Sequence, residues 1–318
     1  MLEVVLLVLG FLFIVKGADF LVDGSSSLAK RFGISDIAIG LTIVAFGATS
    51  PEFMVNVFAG LSGKSQIALS TALGNNIISI LLILGIAALI HPLRISRDVA
   101  VTEIPLVLLA SLVLGILAND RFFDYAESST ISRTDGLVLI AFFVIFIHHI
   151  FEIARSRFQE RKPAEIQIHN TWRSLLLIAV GFLGLYLGGQ WVLRGAVATA
   201  SYLGLTESFV AITIISFGMS LPEIVMTIIA AHKKHDGLAV GNVIGSVIFN
   251  TFLTLGVTSA INPIPVGGTD NASIFMVAVA CLLLFLIVIF RKKPVLRRWQ
   301  GFLFLVLYFS YIIFLVTR

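Results

Sequence analysis

Apolar residues run along this chain in ten long stretches, each closed by a short cluster rich in charged residues, Gly, Pro or Asn. The stretches fall near residues 3–23, 36–61, 67–90, 99–118, 136–154, 174–194, 207–231, 238–261, 272–290 and 299–317. Roughly 20 apolar residues let a helix cross the hydrocarbon of a bilayer, where an isolated segment satisfies its backbone only as a helix. The pattern therefore predicts an all-α membrane protein with ten transmembrane helices. The longest polar stretch, EIARSRFQERKPAEIQIHNTWR at 152–173, follows the fifth run. It divides the chain into a five-helix unit over 1–154, a loop over 155–173 and a second five-helix unit over 174–318.

Lys and Arg between the runs set the expected orientation, because they collect on the cytoplasmic side. With the N-terminus outside, the inner segments hold 16 of them, including Lys30, Arg31, Arg94, Arg155, Lys233 and Arg298. The outer segments hold five, namely Lys64, Arg121, Arg133, Arg194 and Arg318. Both termini are expected outside, the 152–173 loop in the cytoplasm, and the protein in a plasma (inner) membrane. The first run lacks the short core and small-residue cleavage pattern of a signal peptide, so it is read as a retained span.

Sliding the chain against itself by 171 residues aligns 1–93 with 172–264 without a gap, and 23 of the 93 positions are identical. Apolar composition inflates such a score, so the rarer types decide. Seven glycine pairs coincide, from Gly10/Gly181 to Gly85/Gly256, as do Pro51/Pro222, Pro92/Pro263 and Glu52/Glu223. A weaker echo sets RTDG at 133–136 against RWQG at 298–301. Five spans per half is an odd number, so the second half must enter the membrane from the opposite side. Two inverted five-helix repeats are the expected architecture. Secondary transporters use that plan, with sites near the midplane on interrupted helices.

Composition adds exclusions. The chain is 58% hydrophobic and 13% charged, with a mean hydropathy of +1.02, outside the range of soluble domains. Its net charge of +4 comes from short clusters between apolar runs, so nucleic acid is not an expected partner. The lone Cys281 rules out a disulfide framework and any multi-cysteine metal site. The sequence holds no nucleotide-binding loop and no legible base–nucleophile pair, so neither an enzyme nor a cofactor is expected. The expected partners are the lipid bilayer and inorganic cations, with no obligate protein partner inferred.

The chemistry concentrates in GATSPEF (47–53) and GMSLPEI (218–224). Pro51 and Pro222 stand mid-span, where proline removes one backbone hydrogen bond and clashes with the preceding turn. Gly47 and Gly218 loosen the same turns. Each helix is expected to bend or break there, offering bare carbonyls beside a carboxylate and hydroxyls. Such oxygen ligands suit a hard cation. Glu52 and Glu223 lie about halfway along their spans, a depth at which an ionisable group is costly and functional by default. Asn75 follows Glu52 by 23 residues, and Ser246 follows Glu223 by the same interval. Ser79 and Asn250 stand four residues further, one turn along the same face. Two carboxylates with neutral oxygens balance one Ca²⁺, or two to three Na⁺, or two protons. A site that holds these in turn and is unstable without them exchanges them.

These residues resemble the sodium/calcium exchanger family, the cation/Ca²⁺ antiporters, in a compact prokaryotic form. The family pattern G-T-S-x-P-E followed by G-N-x-x-G-S-x-x-x-(N/D) is matched by Gly47–Glu52 with Ser70–Ser79, and by Gly218–Glu223 with Gly241–Asn250. The resemblance implies the ten-helix inverted-repeat fold and exchange of Ca²⁺ for Na⁺ by alternating access. It makes Glu52 and Glu223 the central Ca²⁺ ligands shared with Na⁺. Thr49, Ser220, Asn75, Ser246, Ser79 and Asn250 would add side-chain ligands, and Ala45 and Ser216 backbone carbonyls. The threonine of G-T-S is replaced by Ala48 and Met219, and Ser70-Thr71 stands where Gly-Asn is usual. Neither Ser79 nor Asn250 is acidic. With fewer hydroxyls to ligate Na⁺, Ca²⁺/H⁺ antiport is the alternative, and a cation channel is the more distant one.

Other polar residues read as structural. Asp19 and Asp23 are expected to pair locally with Lys16, and Glu103 to lie at the membrane interface. His148 and His149 point in different directions on one helix and are read as packing residues. The matched glycines of the first and sixth spans predict close contact between these two helices, which would slide or rock as a pair against the rest.

Overall fold

A computed structural model of the chain describes residues 2–32, 35–123, 125, 128–155, 169–202, 216–291 and 294–317. Of Pro51, Ser216, Gly218 and Met219 only the backbone is described. Helix α1 is Leu2–Phe32. A short α2, Asp36–Ile39, passes through a π-turn at Gly40–Val44 into α3, Ala45–Leu61. Next, α4 (Ser65–Ile77) continues through a π-turn at Ile78–Ile83 into α5 (Leu84–Ile90). After the two-residue strand β1 (Leu93–Arg94) come α6 (Arg97–Val101), α7 (Glu103–Leu117), α8 (Asp120–Phe123), β2 (Thr130–Ile131) and α9 (Arg133–Arg155). The second half holds α10 (Thr171–Tyr202), α11 (Ser216–His232) and α12 (Asp236–Ile248). A π-turn at Phe249–Thr254 leads into α13 (Leu255–Ile261), followed by β3 (Ile264–Pro265), α14 (Gly268–Ile289), β4 (Val295–Leu296) and α15 (Arg298–Val316).

Among the described residues, 7 helices are long and apolar enough to cross a membrane, and 8 if one bent pair counts as a single span. They match the third to sixth and eighth to tenth expected runs, with the bent pair in place of the second. The bent pair is Ile37–Ser50 and Glu52–Leu61, whose axes meet at 55° across Pro51, as a proline inside a helix requires. The chain stays helical through that bend, so the expected break is a kink. The first expected run ends at 23, but α1 is 31 residues long and carries its helix on to Phe32. Residues 203–215, which hold the start of the seventh expected run, lie outside the described residues.

Two composite helices form the centre. Their most apolar windows, in Ser65–Ile90 and Asp236–Ile261, are 78% and 94% buried, against 22% for α9 and α15. The outer helices turn large apolar side chains such as Val144, Ile145, Leu176 and Phe302 outward, on faces that a bilayer would cover. The 171-residue register holds in three dimensions. It carries α3 onto α11, α4 onto α12, one π-turn onto the other, α5 onto α13 and β1 onto β3, residue for residue. Four short strands qualify the all-α expectation without changing the class. β1 pairs antiparallel with β4 and β2 with β3, so each clip joins one half to the other.

Close backbone contact holds α1 to α10. A Cβ at Gly17 would lie 2.8 Å from the Gly181 carbonyl oxygen, and one at Gly181 would lie 2.8 Å from that of Gly17. Gly10 and Gly188 face each other in the same manner. Absent side chains let two helices approach to backbone contact, where dispersion and weak Cα–H···O bonds hold them. Gly181→Val is therefore expected to part the pair, at a cost of about 1–3 kcal/mol for an overpacked contact. A melting temperature in detergent lowered by several degrees, against little change for Leu176→Val on the exposed face, is the expected reading.

Candidate cation site

The kinked α3 and its mate α11 each bring one carboxylate to the centre. Glu52 and Glu223 are 7% and 2% exposed. Asn75 and Ser246 reach the carboxylate of their own half and Ser79 that of the other, while Ser220 reaches Glu52 through Asn75. Asn75 donates to Glu52 through Nδ2, and its Oδ1 accepts from Ser220 Oγ at 2.7 Å. Ser79 Oγ donates to Glu223 Oε2 at 3.0 Å. Asn75 and Ser79 belong to one composite helix, yet one serves each carboxylate. The spacing of four explains how, because Ser79 sits in the π-turn, whose wider winding rotates it away from Asn75.

The two carboxylates differ in how well they are satisfied. Ser246 Oγ lies beside the Glu223 carboxylate without closing a well-formed hydrogen bond to it, and Glu223 Oε1 has no other partner; Asn250 Oδ1 and Nδ2, in the π-turn, have none either. Ser246 and Asn250 are fully buried. Buried polar atoms left without a partner cost free energy unless a proton, water or cation meets them. Carboxylate, hydroxyl and amide oxygens are the ligand types of hard cations such as Ca²⁺. Thr49 is buried as expected, but its Oγ1 donates to the Ala45 carbonyl at 2.9 Å, so two predicted ligands are bonded to each other. Ser216 opens α11, and its backbone alone is described. Gly47 is required by contact, since a Cβ there would overlap the Phe182 ring of α10.

The family model described as "Sodium/calcium exchanger protein" matches residues 2–151 and 173–317. The chain belongs to the sodium/calcium exchanger family. As a compact prokaryotic-type member, it is 34% identical over 313 residues to "Inner membrane protein YrbG" of Escherichia coli (strain K12), covering 95% of this chain and 93% of that one. It is 26% identical to "Sodium/calcium exchanger MaX1" of Methanosarcina acetivorans, covering 98% and 97%. Among solved structures, the sodium-calcium exchanger NCX_Mj soaked with Na⁺ and Ca²⁺ aligns over 98% of both chains with a TM-score of 0.84 at 29% identity.

Within this exchanger fold, several polar residues were not singled out from sequence. Thr71 Oγ1 donates to Asn56 Oδ1 at 2.8 Å, and Asn242 Nδ2 donates to Thr227 Oγ1 at 2.9 Å. The 171-residue register matches 56 with 227 and 71 with 242, so the two halves make the same bond with residue types exchanged. That accounts for Thr71 where the family has Asn, because Asn56 supplies the missing amide. Matched polar pairs of unlike type were the available signal. Asn76 Nδ2 further ties α4 to Thr251 Oγ1 of the opposite π-turn at 2.9 Å.

Three structural readings are revised. Glu103, at the start of α7, is fully buried against protein, with Oε1 3.3 Å from His149 Nε2, so His149 is its neighbour rather than mere packing. Asp19 lies 3.9 Å from Lys16 as expected, but its closer partner is Lys233 at 3.0 Å, which also holds Asp23. The exchanged pair gives a direct test. Thr71→Val strips Asn56 of its partner, and an unsatisfied buried amide costs about 1–3 kcal/mol. The double exchange Asn56→Thr/Thr71→Asn is expected to recover most of that in thermal melts. Equal losses in the single and double variants would show that the bond contributes nothing.

Proposed function

We propose that this protein is a secondary antiporter that exchanges Ca²⁺ for Na⁺ by alternating access. In this reading ten helices cross the membrane as two inverted five-helix repeats, 1–154 and 174–318, joined by a cytoplasmic loop. The termini are outside, the membrane is the plasma (inner) one, and Glu52 and Glu223 meet at its midplane. Family membership supports transport. The matched elements at a spacing of 171 residues support the repeat, and the excess of inner Lys and Arg supports the orientation. The observation that carries the cation reading is the buried Glu223 carboxylate, with Oε1 unpartnered, set among the Ser79 and Ser246 hydroxyls of the two halves and accompanied by a second buried carboxylate, Glu52.

In mechanism, Ca²⁺ entering this set takes oxygens from both halves and cancels the repulsion between the two carboxylates. It leaves when cations from the other side replace that charge. Asn75 and Ser220 form a neutral bridge that holds Glu52 in register with the second half. Coupling to protons is the second reading, favoured by one observation. Ala48 is buried and apolar where the family threonine offers a hydroxyl, so the set holds fewer oxygens for Na⁺.

Radiolabelled Ca²⁺ uptake into proteoliposomes loaded with Na⁺ or with acidic buffer tests both. Uptake driven by the Na⁺ gradient, and reduced at least about tenfold in Glu52→Gln and Glu223→Gln, is the expected result, given the cost of losing a charged ligand. Uptake driven by the pH gradient alone would establish the second reading. Uptake in both Gln variants equal to wild type would remove the carboxylates from the mechanism.

A further inference from the structure

Lys233 stands in the turn between α11 and α12, with Nζ 3.0 Å from Asp19 Oδ1 and 2.9 Å from Asp23 Oδ1, both carboxylates on α1. Two residues further, His235 Nδ1 meets Ser26 Oγ at 3.2 Å, again joining the turn to α1. Burial pulls the Lys233 ammonium down, but the bonds to Asp23 and Asp19 outweigh it and hold the group above its ordinary value, so it stays charged. Among the described residues these are the ion pairs that tie α1 to the central bundle. Because the facing glycines bind α1 and α10 backbone to backbone, the two helices shift together or not at all.

The matched positions in the other half carry different residues. The 171-residue register carries Asp19 and Asp23 to Gln190 and Arg194, and Lys233 and His235 to Ser62 and Lys64. Those four positions hold no carboxylate, and two of them are cationic. A chain whose halves agree at Glu52/Glu223 and at seven glycines is thus unlike at the two ends of this one contact. Displacement of the α1–α10 pair away from α11 at the Lys233 end must break two ion pairs. The matched residues at the other end hold no carboxylate and cannot form these pairs.

We propose that Lys233, Asp19 and Asp23 form a one-sided latch that keeps the α1–α10 pair closed on the bundle at the cytoplasmic end and sets the resting balance between the exchanger's two states. The latch rests on the alternating-access reading and on the orientation proposed with it. It favours the state open to the opposite side, because a contact present in one state and lost in the other shifts populations by its own free energy. For a partly exposed pair of this kind the shift is about fivefold.

The test measures half-saturating Ca²⁺ separately at each face in right-side-out and inverted proteoliposomes, for wild type, Lys233→Gln and Asp19→Asn/Asp23→Asn. Loss of the latch is expected to lower that concentration at the cytoplasmic face and raise it at the other, each by about fivefold. The charge-reversed Lys233→Glu/Asp19→Asn/Asp23→Lys is expected to bring both values back toward wild type. If a variant does not fold, high ionic strength applied to wild type should move both values in the same opposed directions, since screening weakens exposed pairs. Unchanged values, or movement in one direction at both faces, would overturn the latch while leaving antiport intact. Wild-type Ca²⁺ flux that neither gradient drives would instead overturn the antiport reading itself.

Discussion

Two carboxylates buried at the centre and joined across the halves by hydrogen bonds set the terms for the rest of this structure. Neither could persist there if the other half did not reach across. Asn75 ties Glu52 to Ser220, and Ser79 reaches Glu223, so each half is completed by the other. The kink at Pro51 and the paired π-turns follow from the same constraint. A straight, regular helix would spend its backbone groups on itself and could not turn Asn75 and Ser79 toward different partners.

Around that centre the protein separates into parts of different stiffness. The composite helices α4–α5 and α12–α13 are mostly enclosed and cross-linked by buried amide–hydroxyl bonds. The long α1–α10 pair lies outside them, tight within itself. It meets the bundle through the Phe182–Gly47 contact, the Lys233 ion pairs and the Ser26–His235 bond. Buried apolar residues such as Leu21, Val22 and Leu185 of this pair also pack into the common core.

The apolar runs, the 171-residue repeat and the two carboxylates were all legible in the sequence, because each rests on a period or on a residue type rarely placed in lipid. Helix ends were legible only roughly. α1 continues to Phe32 through Ser25, Ser26 and Ser27, which are buried, and Ser26 and Ser27 are bonded to other elements rather than lying beyond the span. The π-turns were not legible, since Ile78–Ile83 contains no Gly or Pro to mark a change of winding. Glu103 was misplaced because its position near the end of a run says nothing of a histidine 46 residues away in sequence. The link from Asp19 and Asp23 to Lys233 was missed for a similar reason, as local spacing offered Lys16 first.

The unlike residues at matched positions bear on how such a chain is assembled. A closed twofold assembly of one five-helix chain presents the same side chain at both related positions. It could set two asparagines or two serines around its pair of glutamates, never Asn75 opposite Ser246. Joining the halves in one polypeptide removes that rule. One carboxylate is then capped by an amide while the other keeps an unpartnered oxygen. Covalent linkage here is therefore a source of chemical polarity, which two separate copies of either half could not reproduce.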